Sequence, residues 1–231
     1  MAHVIKSAQV GGKTITIETG KVAKQAGGAV MIRQGDSVVL VAATGAREGR
    51  PGMDFLPLTC EYRPMAAAAG MIPGGYFKRE GRPGPKGILV ARMMDRPCRP
   101  LFPKNWRAEV QLLAYPISHD GQNMTDVLAL TGASCAAIIS NVPFNGPVAG
   151  IRVGRIDGEW VANPTRAELE TSDFDMIIAC TQHAITMVEG GMTCAKESEI
   201  VAGLEFGFQA AQPLIQLQLD LAAEVGKEKM P

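Results

Sequence analysis

The chain has no Cys-x-x-Cys pair, no net charge and no uninterrupted apolar run of bilayer length, and each absence closes off a class of protein. Its five cysteines, at 60, 98, 135, 180 and 194, are odd in number and sit mostly in apolar stretches such as Thr131–Ile139. They read as reduced core residues and not as a disulfide framework. The three histidines, His3, His119 and His183, stand at ligand spacing from no cysteine or carboxylate pair, so a zinc site has no support. The long uncharged stretch between Asp126 and Arg152 is continuously apolar only to about Ile139, short of the ~20 residues a bilayer span needs, and reads as a buried helix. No membrane partner is expected. The start of the chain carries no secretory apolar segment and no Arg-rich presequence, which makes a cytoplasmic location the expectation. GxGxxG, GxSxG and HExxH are all missing, and Gly12-Lys13-Thr14 lacks the upstream glycine of a phosphate loop, since Ser7 stands there.

What is present describes a soluble globular chain: 231 residues, 46% hydrophobic and 20% charged. Ile5–Val10 and Lys13–Glu18 flank Gly11-Gly12 and predict a hairpin. Ala29–Arg33 and Ser37–Thr44 predict two more strands, the second apolar enough at Val38–Ala43 to be covered on both faces. A further strand is predicted over Asp54–Arg63 and another over Glu109–Ser118; hairpin strands follow at Val148–Ile156 and Glu159–Ala162, then strands at Met176–Cys180 and Ile185–Val188. Helices are predicted at Ile88–Asp95, ending or kinking near Arg96 before Pro97, at Thr125–Ser140, and at Ser198–Val225 with an interruption at Pro213. The last places Ile200, Leu204, Phe208, Ala211, Ile215 and Leu219 on one stripe. Strands first, then helices mixed with hairpins, make this an α+β domain with helices packed on a mainly mixed or antiparallel sheet.

The neutral total hides a basic block. From Lys78 to Arg107 nine cations meet only Glu80 and Asp95, which gives that window +7 and leaves −7 for the rest. Residues 64–87 are a Gly/Pro-punctuated loop containing Tyr76, Phe77, Lys78, Arg79 and Arg82. Aromatic faces beside cations suit single-stranded nucleic acid, because bases stack while phosphates are neutralised, without base preference. Equally, the two rings could anchor the loop to the core and the cations form a solvated face. Arg92, Arg96 and Arg99 tilt the balance: their spacing sets them on one side of a helix, Asp95 can satisfy one, and phosphate suits the others.

Gly75-Tyr-Phe-Lys-Arg-Glu-Gly-Arg-Pro83, Ala91-Arg-Met-Met-Asp-Arg-Pro-Cys-Arg-Pro-Leu-Phe-Pro103 and Val142-Pro-Phe-Asn-Gly-Pro-Val148 closely resemble the first RNase PH-like domain of the bacterial polynucleotide phosphorylases. The likeness runs from about Val4 to Gly226, so residues 1–226 are expected to form that domain and 227–231 a tail toward a second one. It implies a homotrimeric ring, completed by a second RNase PH-like domain, in which phosphate shortens single-stranded RNA from its 3′ end and releases nucleoside diphosphates. Other RNA-degradation proteins are expected partners. Tyr76, Phe77, Lys78 and Arg79 match a constriction loop that is usually Phe-Phe-Arg-Arg, and Arg92, Arg96 and Arg99 match RNA-facing arginines. In that family phosphate and Mg²⁺ sit in the second domain. Here the corresponding turn reads Asn123-Met-Thr-Asp126, where a carboxylate competes with phosphate, and the corresponding strand Asp173-Phe-Asp-Met-Ile177 has Ile177 in the lysine position. The expectation is therefore an RNA-binding, ring-forming domain with no catalytic or metal residues of its own. Two alternatives remain: a stand-alone scaffold paired with a separate catalytic subunit, or a metal-dependent nuclease built on Asp126, Asp173 and Asp175.

Overall fold

A computed structural model describes residues 2–49 and 51–231. Gly11-Gly12 turns β1 (Val4–Val10) back onto β2 (Lys13–Thr19), and both glycines hold positive φ. β3 (Gly28–Gln34), β4 (Ser37–Gly49), β5 (Leu58–Tyr62) and β6 (Ala108–Ser118) complete a sheet in the order β1-β2-β3-β4-β6-β5. Only the β5–β6 pair in it is parallel. β7 (Ala149–Ile156), β8 (Glu159–Ala162), β9 (Phe174–Cys180) and β10 (Ile185–Met192) form a second, antiparallel sheet ordered β10-β9-β7-β8. The predicted strands are found, now divided between two sheets, and Asp54–Arg63 contributes only its last part, as β5.

Between the sheets lies α2 (Thr125–Ile139), every residue of it buried. Its Ala, Gly and Ser content lets both sheets approach, and its hydroxyls serve them: Ser134 Oγ accepts the Val148 N–H at 2.8 Å and Thr131 Oγ1 the Gly150 N–H at 3.0 Å. The helices pack on one face of the larger sheet only. Leu40 and Ala42 on β4 consequently stay half-buried, so this strand is not covered on both faces as its apolarity suggests.

Two prolines lie inside helices that sequence reasoning breaks. α1 (Pro85–Cys98) runs through Pro97 because Val90, Met93, Met94, Pro97 and Cys98 form one buried stripe, and a proline in the last turn removes only one backbone bond. α4 (Glu197–Val225) runs through Pro213, which faces solvent along with Gln209, whose carbonyl loses its partner there and can be hydrated. The buried stripe of α4 also differs from the predicted one, because Gly203 and Gly207 take the contact line. A Cβ at 207 would lie 2.4 Å from Ile178. The short α3 (Arg166–Thr171) escaped sequence reasoning although Thr165 and Glu168 form a capping box.

Candidate functional site

The loop from Met71 to Gly84 connects a short 3-10 turn (Ala66–Ala69) to α1, and left-handed backbone at Gly75 and Lys78 brackets its two rings. Tyr76 is 93% exposed and Phe77 80%, touching each other edge-to-face at 5.4 Å. They do not anchor the loop to the core. Anchoring comes instead from Glu80, whose Oε1 accepts the Ala66 N–H at 2.7 Å, and from the His119 N–H donating to Ala68 O at 2.9 Å. Glu80 is thereby committed to backbone, and Lys78, Arg79 and Arg82 are exposed with no partner among the described residues.

Beyond the loop, α1 packs over β5 and the two border a groove of about 940 Å³. Arg92 and Arg96 stand exposed on its wall, again without a partner among the described residues. Arg99 differs. Its Nε and Nη2 donate to the two Asp95 oxygens at 2.6 and 2.5 Å, Nη1 to Leu56 O at 3.1 Å and Nη2 to Leu58 O at 3.2 Å. The three arginines therefore do not form one uncommitted set as their spacing suggests; Asp95 satisfies Arg99.

A second constellation surrounds Arg152 on β7. This side chain is buried, and its Nη2 meets Asp126 Oδ2 at 2.6 Å while Nη1 donates to Asp175 Oδ1. Burial works against the charge, but the two carboxylates outweigh it and raise the Arg152 pKa. The pair fills one wall of a 250 Å³ cavity that Lys86, Ile177 and Glu189 also line. Some of the backbone donors nearby are taken by carboxylates. Asp126 Oδ1 accepts the Val127 N–H at 2.8 Å, and Asp120 Oδ1 accepts those of Gln122 and Asn123 at 2.8 and 2.7 Å. Burial pushes the Asp120 carboxyl up, yet hydrogen bonds from Asn123, Gln122 and Ser37 together hold it well below the usual carboxylate range.

Asp126 and Asp175 thus converge, but on a guanidinium. Asp173 turns away to Arg155, which Glu199 also holds at 2.6 Å. The three carboxylates do not make a metal-dependent nuclease site, and among the described residues no group of three His, Cys, Asp or Glu side chains could hold a metal. The two convergent carboxylates, Asp126 and Asp175, are paired with Arg152 and as such do not fit Mg²⁺. The cysteines are all free, with Cys98, Cys135 and Cys180 buried, as expected, and Cys194 exposed. No helix among the described residues is long and apolar enough to cross a membrane.

Two family profiles divide the chain close to the boundary between its sheets: 3′ exoribonuclease family, domain 1, matches residues 11–143, and domain 2 of the same family matches residues 146–210. The chain belongs to the 3′ exoribonuclease family. It is 53% identical over 226 residues to a polyribonucleotide nucleotidyltransferase of Sorangium cellulosum, which covers 98% of this chain and 30% of the relative. The enzymes of the same name from Heliobacterium modesticaldum and Desulfotalea psychrophila are 48% and 52% identical, covering 96% of this chain and 32% of each relative. The chain spans about a third of the length of these curated relatives, and the match fits their first RNase PH-like domain, as the sequence motifs imply. Among solved structures, rice Rrp46 superposes with a TM-score of 0.71 at 14% identity, covering 95% of this chain and 94% of that one. A chain of the Archaeoglobus fulgidus exosome, solved with RNA bound to its active site, gives 0.69 at 15% identity and covers 94% and 89%. These two establish the α+β fold of the 3′ exoribonuclease family for this chain.

Proposed function

We propose that this 3′ exoribonuclease-family chain is the RNA-binding, ring-forming first domain of a polyribonucleotide nucleotidyltransferase that shortens single-stranded RNA with phosphate, and that it has no phosphorolytic site of its own. The observation that carries the reading is the Tyr76–Phe77 pair, standing out of the protein beside uncommitted Lys78, Arg79 and Arg82. Exposed rings offer stacking faces to bases, and unpaired cations offer their charge to phosphates at no cost in broken internal bonds. Arg92 and Arg96 extend that surface along the groove. The proposal takes in RNA, a homotrimeric ring closed through a second RNase PH-like domain, other RNA-degradation proteins and a cytoplasmic setting.

The absence of chemistry in this domain rests on Arg152. A buried guanidinium held by Asp126 and Asp175 fills the place where a phosphate or a cation would need uncommitted partners. Mg²⁺, when the full enzyme uses it, is supplied with ligands by the second domain, and no step is routed through it here. The test is to incubate the purified chain with a short oligoadenylate, phosphate and Mg²⁺. RNA binding that weakens with salt, with no release of nucleoside diphosphate, is expected. Phosphate-dependent release would overturn the non-catalytic reading, and loss of all binding would overturn the RNA-binding one.

A further inference from the structure

We infer that Arg99 is a positioning residue of the RNA-facing surface and not one of its phosphate contacts: with Asp95 it holds α1 against the open edge of β5 and so aims Arg92 and Arg96 into the groove. This deepens the RNA-binding reading above and rests on it.

Donor inventory carries the argument. A guanidinium has five N–H groups. Arg99 spends one on Asp95 Oδ1, one on Asp95 Oδ2, one on Leu56 O and one on Leu58 O, which leaves a single N–H for any ligand. Arg96 and Arg92, about one and two turns nearer the helix start, spend none among the described residues.

The carbonyls it holds give Arg99 its task. β5 is the edge strand of the larger sheet and is bonded on its other side to β6. Its outward carbonyls would otherwise lie open, and an edge left open is prone to slip or to pair with another chain. Arg99 closes the outward side at Leu58 and adds a second bond to Leu56 O, which already accepts the Leu58 N–H at 2.9 Å, while Asp95, one turn earlier on α1, fixes the fork from the helix side. The helix and the strand edge are thereby tied at the end of the groove, and Arg92 and Arg96 keep their aim because the helix that carries them cannot roll. Arg99 closes that end with its own charge already answered.

The test measures affinity for a single-stranded oligoadenylate across a range of salt, with melting temperature in parallel, for the chain and four variants. Arg92→Gln and Arg96→Gln are each expected to reduce the slope of log affinity against log salt by about 0.7, the loss of one phosphate contact on a single strand. Their melting temperatures should not move. Arg99→Gln should weaken binding several-fold at every salt concentration with the slope intact. The deciding variant is Asp95→Asn. If Arg99 touched phosphate, removing its competitor would tighten binding; a positioning role requires several-fold weaker binding, again with the slope intact. Should Arg99→Gln fail to fold, Arg99→Lys keeps the charge without the fork and is expected to weaken binding in the same way. Tighter binding by Asp95→Asn, a slope loss in Arg99→Gln equal to that in Arg92→Gln, or unchanged affinity in folded Arg99→Gln and Asp95→Asn would each overturn the inference. No salt-dependent binding by the unsubstituted chain would overturn the RNA-binding reading on which it stands.

Discussion

The α1 side of the molecule and the β7 side both gather arginines, yet they treat them in opposite ways. Along the loop and α1, Arg79, Arg82, Arg92 and Arg96 stand in water with no anion of their own among the described residues. On β7, Arg152 lies buried between Asp126 and Asp175, and Arg155 between Asp173 and Glu199. The difference follows from desolvation. An arginine removed from water must be met by carboxylates inside the protein, whereas one left in water can wait for an external anion. A single residue type therefore marks a ligand surface in one place and a filled, self-satisfied pocket in the other.

Breaking the buried side should have the largest effect. Arg152→Ala strands Asp126, only 6% exposed, beside a cavity, and is expected to destabilise the chain by about 3–5 kcal/mol in urea unfolding. Replacing the cluster together, as Arg152→Met with Asp126→Asn and Asp175→Asn, should recover most of that loss, because no unpaired charge then remains. If the single substitution proved harmless, Arg152 would have to be as well hydrated as the α1 arginines, and the contrast between the two sides would collapse.

The exposed side should respond in affinity and not in stability. Phe77→Ala with Arg79→Ala removes one stacking face and one phosphate partner, for which about 1–3 kcal/mol of binding is expected from the ring alone, roughly 5- to 150-fold. The salt slope should fall as well, with the melting temperature unchanged, since the Phe77 ring is held by Tyr76 and little else. An unaltered salt titration would return this loop to the solvated-face reading.

How much of this could be read beforehand depended on the sequence distance over which each feature is decided. The hairpins at Gly11-Gly12 and Asp157-Gly158 and the buried helix after Asp126 are local signals, and all three stand where the pattern puts them. Pro97 and Pro213 misled because a proline's cost depends on what surrounds it: the first sits in a last turn with its ring in the core, the second on a wet face. Division into two sheets was hidden, since alternation marks strands without naming their partners. The basic block was visible as composition, but which of its members are free was not. Arg99 is answered partly by Asp95, four positions away, and partly by carbonyls more than 40 positions away in the chain. Arg152 was missed entirely; its partners stand 26 and 23 positions off, and only folding shows that the suspected Asp126 and Asp175 share it.

Lys229 stands between the two classes and sharpens the comparison. It is a partly buried cation with no carboxylate partner among the described residues: its Nζ donates to Ala137 O, Ile138 O and Ser140 O at 3.1, 2.6 and 2.7 Å, at the carboxyl end of α2, where Ala137 O also accepts from Ser140. The backbone beside it follows the same end, with Lys227 N–H on Ile139 O and Met230 N–H on Asn141 O. Burial lowers the Lys229 pKa to about 8, from an ordinary 10.5. Between those two values the unfolded chain binds more protons than the folded one, so this group makes stability rise with pH across that window and contributes no slope below it. The check is urea unfolding at about pH 7 and about pH 10 for the chain and for Lys229→Met, the difference between the two cancelling every other titrating group. The unsubstituted chain should gain relative to the variant as pH rises. A difference that does not change with pH would mean that the three carbonyls offset the desolvation of this ammonium in full, and that a partly buried cation in this fold can be held by dipoles without an opposite charge.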